Sequence, residues 1–177
     1  MDILIRQEIT SDYDKTEEII QQAFLNEEKS DQTEHILVRQ LRTSAAFIPE
    51  LSLIAVDQDN EIVGHILLTK IKIVDGDHTA DSLALAPVSV FPEHQKQGIG
   101  SELIHTALKK AKEMDKCSVI VLGHKDFYPR FGFKPAKLWK IRAPFEVPDE
   151  VFMALELTEN ALANVQGVVQ YSQPFLE

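Results

Sequence analysis

Two stretches of the 177-residue chain hold residue types and spacings that could do chemistry. The first is Gln95-Lys96-Gln97-Gly98-Ile99-Gly100-Ser101, which follows the apolar Val88-Ser89-Val90-Phe91-Pro92 and opens an amphipathic segment. A helix start leaves backbone N–H groups unpaired and carries the positive end of the helix dipole, a ready seat for phosphate. The glycines of Gln95-x-x-Gly98-x-Gly100 let the backbone approach a ligand and take dihedrals that other residues avoid. Lys96 adds charge from the side. A tight strand-to-helix turn is the bland alternative. The strand before, the helix after and Pro87 interrupting that strand favour the anion seat. The run is neither a P-loop, which needs G-x-x-x-x-G-K-S/T, nor a dinucleotide fingerprint, whose third glycine would fall at Leu103.

The second stretch is Gly123-His124-Lys125-Asp126-Phe127-Tyr128-Pro129-Arg130-Phe131-Gly132-Phe133. Its aromatics pack naturally on one another, with Phe131 and Phe133 as core residues and Arg130 as a surface cation. Other signals are weaker. His35, His65, His78, His94, His105 and His124 show no H-x-x-x-H or H-E-x-x-H spacing, so no metal site is expected. Cys117, the single cysteine, excludes an intramolecular disulfide and a cysteine-based zinc cluster, and reads as a buried thiol opening an apolar strand. Trp139 reads as a sheet residue and Glu17-Glu18 as solvated surface.

These residues need elements to hold them. Ile3 and Ile5 at period-two spacing predict a short strand. Thr10, Ser11 and Asp12 offer N-cap chemistry to a helix over 11–26 whose stripe is Ile19, Ile20, Ala23 and Phe24. Asp31 or Thr33 caps a second helix over 31–44, with Ile36, Leu37, Gln40 and Leu41 along it. Residues 51–56 and 61–74 predict a hairpin, and 82–90 a further strand in which Pro87 implies an edge or a bulge. Residues 98–114 read as a helix that buries Ile99, Leu103, Ile104, Ala107, Leu108 and Ala111. Further strands are expected over 118–122, 133–141, 151–157 and 167–171. The β–α–β in the middle predicts one parallel pair with the rest antiparallel. The expectation is an α/β fold, a mixed sheet with helices on both faces, in a single domain over 1–177.

Apolar residues make up 44% and charged residues 26%, the balance of an ordinary globular protein. With 18 Lys+Arg against 28 Asp+Glu the formal charge is −10, which repels phosphate backbones and excludes nucleic acid as an expected partner. The same charge leans towards cationic acceptors. The amino terminus lacks a basic region followed by a long apolar run, and no stretch approaches the ~20 apolar residues that span a bilayer. A cytoplasmic protein with no membrane partner is the expectation.

At the two motifs the sequence resembles the GNAT (GCN5-related) N-acetyltransferases. Gln95-x-x-Gly98-x-Gly100 is similar to their pyrophosphate motif, Val88-x-Val90-x-Pro92 to the strand end before it, and Tyr128, four residues before Gly132-Phe133, to their closing motif. The resemblance implies a mostly antiparallel sheet with a splayed parallel strand pair, and acetyl-CoA as co-substrate with no metal. It implies that Val88, Ser89 and Val90 receive the pantetheine arm, Val88 and Val90 through their main chain. Gln95, Lys96, Gln97, Gly98, Ile99, Gly100 and Ser101 would cradle the pyrophosphate. Tyr128 would be the catalytic acid and the Val90 N–H would polarise the thioester carbonyl. The acceptor amine, with a reference pKa near ~10.4, must first lose a proton. His124 and Ser89 are the base candidates nearest the expected acyl site, while Glu27, Glu28 and Glu34 lie in the helical region that shapes the acceptor pocket. None is singled out. The acceptor is a small-molecule or peptide amine, and a homodimer is an open expectation. A rival reading is an acyl-CoA-binding sensor without turnover on the same fold. A third is a regulator, whose trace would be an exposed apolar edge strand near 167–171.

Overall fold

The computed structural model describes residues 2–176; Met1 and Glu177, the ends of the expected domain, lie outside the described residues. The chain order is β1 (Leu4–Gln7), α1 (Tyr13–Phe24), α2 (Glu34–Arg42), β2 (Ser52–Val56), β3 (Ile62–Asp75), β4 (His78–Val90), α3 (Ile99–Glu113), β5 (Ser118–Leu122), β6 (Lys134–Pro135), β7 (Ile141–Arg142), β8 (Phe152–Glu156) and β9 (Gly167–Gln170). Contacts divide the chain into two compact units, Met1–Leu68 with Ala86–Lys110, and Thr69–Leu85 with Ala111–Glu177. Both β3 and β4 contribute to each unit.

In the first unit, β1 pairs antiparallel with β2, and β2 with β3, so alternate residues of each strand share a face. A Cβ on Gly64 of β3 would stand 3.0 Å from Leu103 Cδ1 and 3.3 Å from Ile99 Cγ2, so that face carries α3. The neighbouring residue His65 points the other way, towards Ser52 of β2 and Glu8 just past β1, and Arg42 of α2 bonds Glu8 in turn. Within this unit the helices cover both faces, as the sequence predicts.

The helices are shorter than the sequence suggests. Residues Thr10–Asp12 form a 3-10 turn before α1, and the Asp12 carboxylate accepts from the Ile9 N–H at 2.8 Å and from the Arg6 guanidinium at 2.8 and 3.1 Å. Thr33 is the residue before α2, held by Asp31 Oδ1, which accepts from its N–H at 3.0 Å and its hydroxyl at 2.6 Å. The buried stripe of α2 runs through Val38 and Leu41, whereas Ile36 is exposed.

In the second unit β4 and β5 pair in parallel at Leu83↔Val119 and Ala84↔Ile120, beside a buried hydroxyl pair, Ser82–Ser118, at 2.7 Å. Beyond that ladder β4 continues through the cis Ala86–Pro87 bond to Val90. Strand β8 pairs antiparallel with β5 and β6. Ile71, Ile73, Ile120, Ile141, Phe152 and Val169 form the core.

Five expectations are corrected here. Residues 133–141 are not one strand: β6 stops at Pro135, which has no N–H to donate, a 3-10 turn over Ala136–Trp139 follows, and Lys140 turns the chain at φ 59°. Trp139 therefore ends that turn rather than sitting in a sheet. Strand β7 then pairs with β9 in parallel, a second parallel pair the sequence reading lacks. Strand β9 is bonded to β3 as well, so 167–171 is no free edge. Cys117 is exposed, one residue short of β5.

Candidate active site

In the first unit, β4 ends at Val90, a 3-10 turn spans Pro92–His94, and the loop over 95–98 delivers the chain to α3. Phe91 N–H donates to the Val63 carbonyl at 2.8 Å and anchors the strand end. The Gln95 side-chain amide donates to the Val90 carbonyl at 3.0 Å, folding the loop back onto the strand. Lys96 and Gly98 both have positive φ, 64° and 86°, dihedrals that a glycine adopts without a Cβ penalty. A Cβ on Gly98 would meet no protein atom within 4 Å, and one on Gly100 would meet only Val90 Cγ2 at 3.8 Å. Protein packing does not require these glycines, and the space beside them is open to a ligand. Ile99, 3% exposed, pins the first turn of α3 while its N–H and those of its neighbours lie ahead of the helix's first i→i−4 bond, Glu102 N–H to Gly98 C=O at 3.0 Å. Donors, dipole and space agree with an anion such as pyrophosphate.

In the second unit, β5 leads through Gly123 and His124 into a 3-10 turn over Tyr128–Phe131 that Gly132 ends at φ 100°. Tyr128 is buried against Phe127 and Phe133, edge to face, with ring centroids 5.1 and 5.7 Å away. A Cβ on Gly123 would collide with the Tyr128 ring, so Gly123 is the residue that admits it. Burial pushes the Tyr128 hydroxyl up to about 12, which keeps its proton on oxygen at neutral pH. Arg130 is exposed, its guanidinium 5.6 Å from the Phe127 ring centre.

The base candidates part company. Ser89 is 2% exposed and its hydroxyl has no partner. His124, Glu27 and Glu28 are exposed, and the two glutamates sit in the turn after α1 rather than in a helix. Glu34 opens α2 with both carboxylate oxygens on the Ser30 hydroxyl, at 2.8 and 2.7 Å.

Sequence reasoning missed a buried polar chain in the first unit. Glu8, just past β1, accepts from Arg42 at 2.8 Å and from the Ser52 hydroxyl at 2.8 Å. Ser52 Oγ lies 3.1 Å from His65 Nε2. Arg42 also reaches Glu17 at 2.8 Å and covers the Tyr13 ring at 3.8 Å. Glu17 is thus part of this chain rather than solvated surface. Burial, the largest influence, holds His65 well below the usual histidine range, at about 4, against the opposing pull of Glu8. His65 is neutral at pH 7, and its 3.8 Å approach to Glu8 is no ion pair there. A histidine inside an apolar strand was the only available signal.

Residues 12–133 match the acetyltransferase (GNAT) family. The chain is 27% identical over 173 residues to the uncharacterised N-acetyltransferase YhbS of Escherichia coli, covering 98% of each. It is 37% identical over 115 residues to the uncharacterised N-acetyltransferase YjhQ of the same species, a match spanning 64% of this chain and 63% of that protein, less than two thirds of its length. Among solved structures, YhbS from E. coli in complex with CoA superposes with a TM-score of 0.88 at 25% identity, covering 99% of this chain and 92% of that one. A GNAT acetyltransferase from Brucella melitensis in complex with acetyl-CoA follows at 0.80 and 29%, covering 98% of both. The loop, the buried tyrosine and the mixed sheet are therefore those of a protein that belongs to the GNAT family of acyltransferases.

Proposed function

We propose that the chain binds acetyl-CoA at the loop over 95–101 and transfers its acetyl group directly to a primary amine. The observation that carries this is Gly98, at φ 86° with empty space where a side chain would be, immediately before the free N–H groups of α3. Structural relatives with CoA or acetyl-CoA bound support the same reading.

Each residue then has a defined task. The backbone N–H groups of Gly98, Ile99, Gly100 and Ser101 bind the pyrophosphate, with Lys96 and Gln97 flanking it. Gln95 is spent on the Val90 carbonyl and shapes the loop instead. Val88 and Val90 hold the pantetheine arm through their main chain, and the Val90 N–H polarises the thioester carbonyl. Tyr128 donates a hydrogen bond to the leaving sulfur; with a pKa about 12 it stabilises the thiolate without giving its proton up. The acceptor is a small-molecule or peptide amine, and a cytoplasmic location accords with it.

Release of free CoA thiol, measured across a panel of polyamines, amino-acid amides and aminoglycosides, tests the reading. The expected result is release that depends on the amine. Binding of acetyl-CoA with no amine-dependent release across the panel would replace the enzyme with an acyl-CoA sensor.

A further inference from the structure

Among the buried polar atoms of the first unit that have no partner are the Ser89 hydroxyl, on a residue 2% exposed, and His65 Nδ1, on a residue fully buried. Groups left so cost stability and call for an explanation. Their placement is related. The bond from Phe91 N–H to Val63 C=O puts those residues opposite each other in the antiparallel β3–β4 pairing, and two residues along His65 then faces Ser89. Directly opposed residues share a face, with Cβ atoms about 5 Å apart. A second observation agrees: Val90 points to Gly100 on the α3 side and Gly64 to Leu103, so their neighbours Ser89 and His65 both point away from α3.

The imidazole is held in one tautomer. Ser52 spends its only proton on Glu8, so its oxygen can only accept, and His65 must present Nε2–H to it. Nδ1 is then a bare lone pair, and it shares the α1–α2 face with a free hydroxyl on the strand proposed to hold the pantetheine arm.

We propose that His65 Nδ1 and the Ser89 hydroxyl form a buried subsite for the acceptor's amino nitrogen, direct or through one water, with Ser52 and Glu8 as its positioning residues. The subsite rests on the transferase reading and deepens it. Nδ1 accepts an N–H of the amine and leaves the nitrogen lone pair free for the thioester. The dry surroundings favour the neutral amine over its ammonium. His65 orients the amine and does not take up its proton: as the C–N bond forms and the C–S bond breaks, CoA leaves as the thiolate and the proton shed by the nitrogen passes to solvent water.

The two amide replacements separate this role from a structural one. Asparagine sets its amide where Nδ1 stood, and glutamine sets it where Nε2 stood. His65→Gln keeps the bond to Ser52 and loses the subsite; it should raise the acceptor KM about tenfold or more, as should Ser89→Ala. His65→Asn should recover most of that loss. Both histidine variants should show the wild-type thermal shift with acetyl-CoA. If His65→Asn is the damaged variant and His65→Gln is not, the histidine only braces Ser52 and the proposal falls. Because either variant could misfold, 15N-histidine spectra of the wild type provide a second arm. They should show a protonated Nε2 and a bare Nδ1, with Nδ1 responding to added spermidine; a protonated Nδ1 overturns the subsite. Wild-type protein that releases no thiol with any amine refutes the transferase reading instead, and the spectra still decide the tautomer.

Discussion

Tyr128 and Gly123 illustrate how one atom decides a site. Gly123→Ala places a methyl group inside the Tyr128 ring, so the ring or the strand end must move. We expect a loss of about 1–3 kcal/mol in thermal unfolding and a fall in turnover larger than that of stability alone. Tyr128→Phe keeps the packing with Phe127 and Phe133 but removes the donor; kcat should fall about 100-fold with Tm little changed. An unchanged kcat would return Tyr128 to the aromatic core. At His65 the test is pH. Its pKa is about 4 in the folded protein against 6.5 ordinarily, so below pH 6.5 the unfolded chain takes up a proton that the folded one refuses. Stability should therefore fall by about 3 kcal/mol between pH 6.5 and 4, and His65→Gln should flatten that slope. Tyr128 was legible because its distance from Gly132-Phe133 lies within one loop. The clash that fixes Gly123 was not, since it needs the ring to fold back over β5.

At the scale of elements, Arg42 is what ties α2 to β1 and α1. Its side chain is 4% exposed between Glu8 and Glu17, with the Tyr13 ring against it. Arg42→Met leaves Glu8 buried without its cation, and chemical denaturation should show a loss of about 3–5 kcal/mol. A smaller loss would mean that water already reaches the pair. Nothing local announces this clamp, because its members at 8, 17, 42, 52 and 65 meet only in the fold, and Glu17 read singly is a surface acid. The loop over 95–100 was the opposite case. Strand, turn and helix follow one another there, and local residue types encode all three. Residues 133–141 misled for a related reason: their apolar pattern suits a strand, but Pro135 and the turn at Lys140 override it. Lys140→Gly should stabilise the fold by up to about 1 kcal/mol, since φ 59° costs lysine more than glycine.

For the whole molecule, fold class and family were readable from two motifs and the order of elements. The second parallel pair, β7 with β9, was not, because β7 is two residues long and carries no periodicity. The net charge of −10 sets no limit on the loop's affinity, since its donors are backbone groups and one lysine rather than a basic surface. The central claim is that acetyl-CoA sits at Gly98. Thermal unfolding with and without acetyl-CoA, on the wild type and on Gly98→Asp, tests it most directly. At 100 times its Kd a ligand stabilises by about 2.7 kcal/mol, a rise of roughly 5–11 °C for a chain of this length. The account predicts that rise in the wild type and its loss in Gly98→Asp, whose carboxylate would fill the open space and repel the pyrophosphate. No rise at saturating acetyl-CoA, or an equal rise in both proteins, would contradict it.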